Sequence, residues 1–307
     1  MSRSVKAHIL LLALTLVWGA TFVLIKSAIT QATPLAFNAV RMALAAVVLL
    51  LVFARDLRRE GVPRGAWLSG GLAGVCLWGG YELQTTGLAY TTPSKSAFLT
   101  GVSVVLVPIF LAIGWHRRVN RWTAIGVAAA FAGLYLMTAP AGPAGFALAA
   151  VNRGDLLSLG CAVAFALQII AVGRATARYR FQQVSVVQVV VAAGLMLVTM
   201  PAMEQPHIIW SGLVVAAILI TGLINTALGF AAQAWAQQFT PPTHTALIFL
   251  MEPVFACLTS YVLLGERLGA RGTVGAGLIL AGVLLSELLG KVAAPQAGTA
   301  AAAEMAD

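Results

Sequence analysis

Three ionisable side chains stand inside long apolar runs of the sequence, where a charge is costly to keep. Arg41, Glu82 and Glu252 each lie among apolar residues, and Lys95 lies at the margin of another apolar run. A charge in the hydrocarbon core of a bilayer costs at least about 2.5–3.5 kcal/mol, so such residues mark functional sites by default. The pattern predicts substrate binding or proton transfer inside a membrane.

Arg41 and Glu82 are expected to lie at a similar depth. Arg41 follows Pro34 by seven residues and Glu82 precedes Tyr90 by eight. At 1.5 Å per helical residue, both stand about 10–12 Å from the same side. We therefore predict an ion pair whose members are energetically coupled. The pair either locks two helices together or belongs to a solvated cavity.

Glu82 has polar company on its own helix. Trp78, Thr85 and Thr86 lie at i−4, i+3 and i+4, so they share its face. An aromatic wall beside a carboxylate suits an organic cation or amine, although Trp78 alone is equally suited to core packing. Low dielectric favours a neutral carboxyl and a nearby cation favours a charged one. We predict Glu82 as the proton-exchange residue, with Glu252 as the runner-up.

Two further segments carry polar residues in an apolar context. Thr221, Asn225, Gln233 and Gln237 fall on nearly one helical face, which either binds neighbouring helices or lines a solvated path. Glu252 precedes Pro253, and a proline frees the carbonyl four residues before it. A helix discontinuity beside a carboxylate resembles the half-helix sites of transporters.

Two residues near helix ends are candidate gates. Lys95 and His244 are 149 residues apart and occupy corresponding positions in the two halves of the chain. A snorkelling lysine and a solvated histidine are the alternative interpretations.

The elements that must position these residues are membrane-spanning helices. The chain has 307 residues, of which 60% are hydrophobic and 9% charged, against about 25% charged in soluble domains. A span needs roughly 20 apolar residues. The fold class predicted is an all-α integral membrane protein with ten transmembrane helices, at 8–28, 34–54, 66–90, 94–115, 122–139, 155–173, 183–203, 208–236, 243–264 and 272–290.

The basic residues predict the orientation of the chain. With the N-terminus inside, 13 of the 19 Lys and Arg residues fall in inside segments, five fall outside, and Arg41 lies within a helix. Both termini are therefore predicted to be cytoplasmic, in the cell (inner or plasma) membrane. The net charge of +9 reflects this topology, and without interleaved aromatic residues it does not indicate nucleic-acid binding.

A shift of 149 residues aligns the chain with itself. It gives nine identities over the 46 positions from Thr91 to Leu136, including Pro93 with Pro242, and Gly126 with Gly275. Five helices per unit is an odd number, so the two units must be inverted in the membrane, as in many transporters.

Several ordered motifs resemble the drug/metabolite transporter superfamily, EamA branch. They are Trp18-Gly19-Ala20-Thr21-Phe22, Arg41, the segment from Gln84 to Thr91, Ala97-Phe98-Leu99-Thr100, Glu252-Pro253-Val254-Phe255 and Leu264-Gly265-Glu266-Arg267. The first motif adds Trp18 to the candidate cavity residues. Ser103-Val104 and His116-Arg117 stand where the second half has Glu252-Pro253 and Gly265-Glu266, so a symmetric role for those acids is not implied.

The resemblance implies two inverted five-helix repeats, residues 1–145 and 146–290, followed by a cytoplasmic tail at 291–307 that we expect to be disordered. It also implies a secondary transporter for the export or uptake of small metabolites. We expect export of a small metabolite, amino acid or organic cation, with protons as candidate coupling ions. We expect no cofactor and no metal. No nucleotide site is expected, because no G-x-x-x-x-G-K-[ST] motif occurs. The alternatives are a non-transporting scaffold or receptor and, less favoured, an intramembrane enzyme.

Overall fold

The computed structural model describes residues 2–88, 90, 93–116, 119–138, 152–255, 258 and 269–290. These residues are largely helical and contain no β-strand, so the all-α fold class is confirmed. The predicted tail at 291–307 lies outside the described residues. Among the described residues, five helical stretches are long and apolar enough to cross a membrane, over Arg3–Thr21, Pro34–Val52, Arg153–Thr176, Phe181–Met203 and Gly212–Ala236.

Helices occur in the described part of each predicted range. They are α1 (Arg3–Ala28), α2 (Pro34–Val52), α3 (Ala54–Glu60), α4 (Arg64–Leu88), α5 (Pro93–Gly101), α6 (Ser103–Trp115), α7 (Arg121–Thr138), α8 (Arg153–Thr176), α9 (Phe181–Met203), α10 (Gly212–Ile220), a π-helical segment (Thr221–Leu228), α11 (Gly229–Ala236), α12 (Pro242–Phe249) and α13 (Ala270–Leu289).

Proline and side-chain caps define several helix starts. Pro34 and Pro242 occupy the first turns of α2 and α12, where a missing N–H costs nothing. Asn152 and Asp155 form a reciprocal capping box at the start of α8. The predicted starts are therefore close to the observed ones.

Two predicted helices are interrupted at corresponding points. The chain turns at Val102 between α5 and α6. It turns again at Leu250–Met251, after α12, and is helical from Glu252 to Phe255. This second interruption confirms the predicted discontinuity beside Pro253. Val102 and Met251 are 149 residues apart, the spacing of the internal repeat.

Helices α7 and α13 pack together through glycines. A Cβ atom on Gly126 would overlap the carbonyl oxygen of Gly282, and one on Gly133 would overlap that of Gly275. The reverse holds for Gly282 and Gly275. The 149-residue shift carries Gly126 onto Gly275 and Gly133 onto Gly282, so it maps one contact onto the other. The first glycine of α7 meets the last glycine of α13 and the reverse, so the two helices are antiparallel.

Contacts between connecting segments group the helix ends into two sets. Arg180 forms an ion pair with Glu60 at 2.6 Å, joining the turns that precede α9 and α4. Ala32 forms an isolated bridge with Ile208, joining the turns that precede α2 and α10. The first contact links two segments predicted inside, and the second links two predicted outside.

Candidate functional site

Arg41 is buried on α2 and lies over an aromatic ring of α4. Its side chain is 3% exposed. The guanidinium carbon is 4.5 Å from the centroid of the Tyr81 ring and 5.8 Å from that of Phe37. Its Nε has no hydrogen-bond partner, and no described residue forms an ion pair with it. The positive charge is therefore held by aromatic faces rather than by a carboxylate.

The predicted ion pair between Arg41 and Glu82 is wrong. Tyr81 and Glu82 are consecutive on α4, and consecutive residues of a helix do not face the same way. Arg41 lies over Tyr81, whereas Trp78, which shares the helical face of Glu82, donates to Thr199 of α9. The contact with Tyr81 puts Arg41 at the level of Glu82 along the two helices, but the two charged side chains face different ways.

Five rings from five helical segments form an aromatic cluster beside Arg41, and all but one of them are half-buried. Trp18 is 5.0 Å from Phe249 and 6.0 Å from Phe230, between ring centroids. Tyr81 is 5.7 Å from Phe165 and 6.4 Å from Phe230. These distances suit edge and tilted ring contacts. The members of the aromatic cluster are Trp18, Tyr81, Phe165, Phe230 and Phe249. Of these, the sequence had indicated only Trp18 as a site residue.

Gly80 makes the close packing of this cluster possible. A Cβ atom there would overlap the ring of Phe165, so only glycine lets α8 bring that ring beside Tyr81. Gly79, the preceding residue, has no atom within 4 Å of such a Cβ. The adjacent glycines therefore differ: Gly80 shapes the cluster and Gly79 does not.

Glu252 lies at the interruption after α12 and is half-buried. It follows Phe249 of the aromatic cluster by three residues, across the turn at Leu250–Met251. We call Arg41, the aromatic cluster and the helix interruption at Glu252 the central site.

Trp18 also connects the central site to the π-helical segment. Its indole N–H donates to the Asn225 carbonyl at 3.0 Å, and the Asn225 amide donates to the Thr21 hydroxyl. A π-helical turn disturbs the regular backbone pairing, and such turns are frequent at functional sites. The Trp18 side chain therefore meets the Asn225 main chain, and the Asn225 side chain meets Thr21 on the same helix as Trp18.

Glu82 lies in a separate polar cluster between α2, α4 and α9. Its carboxylate is 4% exposed, and neither oxygen has a hydrogen-bond partner. The Thr199 hydroxyl accepts from the Trp78 indole at 3.0 Å and donates to the Leu195 carbonyl at 2.8 Å. Glu204 accepts the Ala36 N–H at 2.6 Å.

Two neighbouring candidates on α4 differ in their contacts. Thr85 accepts a hydrogen bond from Asn38 at 2.7 Å, which ties α4 to α2. Thr86 is half-buried. Trp78 and Thr85 are therefore engaged by neighbouring helices.

Four buried glutamines form the polar network predicted on the eighth span. Gln233 donates to Gln168 at 3.2 Å and to Gln237 at 3.1 Å, and Gln168 donates to Gln188 at 3.0 Å. Gln237 reaches the Ile169 carbonyl at 2.9 Å. Of the two interpretations of this polar face, the structure shows the one in which it binds neighbouring helices. The sequence indicated Gln233 and Gln237 but missed their partners on α8 and α9.

The two candidate gates lie in corresponding first turns. Lys95 is in the first turn of α5, and its side chain lies outside the described part of the chain. His244 is in the first turn of α12 and is 6% exposed, so the alternative of a solvated histidine is not observed.

Comparison with known proteins identifies the family. The model of the EamA-like transporter family matches twice, over residues 5–139 and 152–288. An "Uncharacterized transporter" of Archaeoglobus fulgidus is 29% identical over 89% of this chain and 83% of its own length. The "Uncharacterized transporter YoaV" of Bacillus subtilis is 20% identical over 92% of this chain and 97% of its own length.

A crystal structure shares the fold, with a TM-score of 0.78 at 19% identity over 93% of this chain and 97% of that chain. The double match of the family model covers most of the chain, including Trp18, Arg41, Tyr81, Phe165, Phe230 and Glu252 of the central site. The chain is a multi-pass membrane transporter and belongs to the EamA-like transporter family.

Proposed function

We propose that this protein is a secondary transporter that exports a small metabolite across the cell membrane by alternating access, without catalysing a reaction. The observation that carries the proposal is the central site. A half-buried carboxylate lies at a broken helix, three residues after Phe249 of the aromatic cluster, and a buried guanidinium lies over Tyr81 of the same cluster. Broken helices that expose polar groups near the midplane are the binding sites of many transporters.

The proposed machinery is a pair of inverted five-helix repeats, residues 1–145 and 146–290. Three observations support it. The helix interruptions at Val102 and Met251 are one repeat apart, and the family model matches each half separately. The glycine contacts between α7 and α13 also exchange under the same shift. An antiparallel contact of this kind is expected of two inverted copies.

Liposome flux tests the proposed transport directly. The purified protein would first be screened by thermal shift against a metabolite library, and the stabilising compounds would then be assayed for flux. We expect protein-dependent flux of at least one of them. Compounds that stabilise the protein without any flux would favour a non-transporting scaffold or receptor.

We further propose that both termini are cytoplasmic. Single cysteines at Arg58 and Arg153, in a background lacking Cys76, Cys161 and Cys257, should then differ in their reaction with an impermeant thiol reagent. We expect labelling of the Arg153 position in intact cells and of the Arg58 position only after lysis. Both native residues are exposed, so the reagent can reach either position from its own side. Equal labelling in intact cells would refute this orientation.

We also propose proton coupling through Glu82, with Glu252 as the runner-up. Neither Glu82 oxygen has a hydrogen-bond partner among the described residues, so a negative charge in this buried position would be costly. A proton removes that charge, and its gain or loss therefore changes the balance between conformations.

Glu82→Gln should abolish substrate accumulation driven by a pH gradient in liposomes. Downhill flux should remain, because the amide keeps the shape of the side chain. Exposed Glu60→Gln, at the end of α3, is the matched control and should accumulate substrate normally. Accumulation at the wild-type level by Glu82→Gln would remove Glu82 from the mechanism, and loss in Glu252→Gln alone would favour the runner-up.

A further inference from the structure

Arg41 presents a buried positive charge that the described part of the protein does not neutralise. The side chain is 3% exposed, its Nε lacks a hydrogen-bond partner, and its guanidinium lies over the Tyr81 and Phe37 rings. Neither Glu82 nor Glu252 forms an ion pair with a described residue. A buried charge without a counterion is costly, so an anion that binds here is stabilised.

The guanidinium suits one class of anion best. This planar group can donate two parallel hydrogen bonds to the two oxygens of a carboxylate. The compact ammonium group of a lysine does not have this geometry. The aromatic cluster lies against the same Tyr81 ring that Arg41 covers, through Phe165 at 5.7 Å and Phe230 at 6.4 Å. Those ring faces offer an apolar surface to the body of a molecule whose carboxylate meets Arg41.

Glu252 limits which charged groups the rest of the ligand can carry. Glu252 follows Phe249 by three residues at the interruption after α12, and the Phe249 ring is 5.0 Å from that of Trp18 in the aromatic cluster. A second carboxylate on the ligand would approach Glu252 and be repelled. The site therefore favours a single carboxylate over a dicarboxylate.

We infer that the central site binds a small monocarboxylate with an apolar body, whose carboxylate pairs with Arg41. This rests on the proposed transport function and narrows its substrates from the wider group of metabolites and organic cations. Trp18, Phe230 and Phe249 would contact the body of the ligand.

Three probes with a phenyl body test the inference in the full-length wild-type protein: 3-phenylpropionate, 3-phenylpropylamine and phenylsuccinate. We expect 3-phenylpropionate to raise the thermal stability of the purified protein in a saturable way. The amine should have no effect, and the dicarboxylate should bind at least about tenfold more weakly, a difference of about 1.4 kcal/mol. Absence of any effect of 3-phenylpropionate, or an equal effect of the amine, would overturn the inference.

Variants of Arg41 provide the second arm. Arg41→Gln should abolish the effect of 3-phenylpropionate, and Arg41→Lys should retain a weakened effect because it keeps the charge and loses the fork. Exposed Arg59→Gln, with the same change of charge, should bind as the wild type does. Unchanged binding in Arg41→Gln would overturn the inference. If Arg41→Gln does not fold, the inference is tested by Arg41→Lys and by the binding of the three probes to the wild-type protein.

Flux separates this inference from the proposed function. Transport of amines with no binding of 3-phenylpropionate would leave the transporter intact and refute the carboxylate site. Binding of 3-phenylpropionate through Arg41, with no flux of it or of any library compound, would retain the site and refute transport.

Discussion

Alanine at Gly275 should destabilise the protein by about 1–3 kcal/mol, the usual cost of forcing extra atoms into a packed interface. The new Cβ would overlap the Gly133 carbonyl oxygen and press on the backbone nitrogen of Met137 at 2.9 Å. A backbone cannot rotate away as a flexible side chain can, so α7 and α13 must separate. Unfolding in mixed micelles with increasing SDS measures the change.

Gly277→Ala is the matched control for this prediction. Gly277 lies on the same helix, and a Cβ there has no atom within 4 Å. Alanine is favoured over glycine inside a helix by about 1 kcal/mol, so this variant should be as stable as the wild type or more stable. Equal losses in both variants would show that close approach of the helices is not the cause.

The reciprocal contact extends the prediction to the other helix. Gly126 is the counterpart of Gly275, and its Cβ would overlap the Gly282 carbonyl. Gly126→Ala should therefore lose a similar amount of stability.

Gln233→Leu should cost about 1–3 kcal/mol of stability, because it leaves buried amides without their partners. Gln233 donates to both Gln168 and Gln237, and all three side chains are at most 5% exposed. Leucine fits the apolar surroundings but accepts and donates nothing. SDS titration of the purified variants measures the loss, with exposed Gln205→Leu as the control of the same residue type.

A double-mutant cycle isolates the bond between Gln168 and Gln233. Interhelical hydrogen bonds in membranes have measured coupling energies averaging about 0.6 kcal/mol and reaching about 1.7 kcal/mol. The double leucine variant should therefore lose less stability than the sum of the single variants by an amount in that range. Strict additivity would mean that the two amides do not interact in solution.

Apolar runs and prolines were sufficient to predict the positions of the helices. Pro34 and Pro242 begin helices because the first turn has no use for their missing N–H. Pro253 predicted the interruption after α12. The matching interruption at Val102 was missed because no proline stands there, although the 149-residue shift would have placed it opposite Met251.

The contents of the site were predicted less well, since depth and angular position follow different rules. The number of residues from a helix end fixes depth, and on that basis Arg41 and Glu82 were paired. Which neighbour a side chain faces depends on packing against other helices, and here that packing puts Tyr81 under Arg41. The aromatic cluster was missed for the same reason, because its rings come from distant parts of the sequence.

Helices α7 and α13 touch at two glycine contacts, and a bulky residue at either contact would push the helices apart there. The Gly126–Gly282 and Gly133–Gly275 contacts are seven residues apart on each helix, about 10 Å along its axis. A wedge at one contact would spread the helices towards one end, and a wedge at the other would spread them towards the opposite end. Large side chains at Gly126 and at Gly275 would therefore tilt the same two helices in opposite senses.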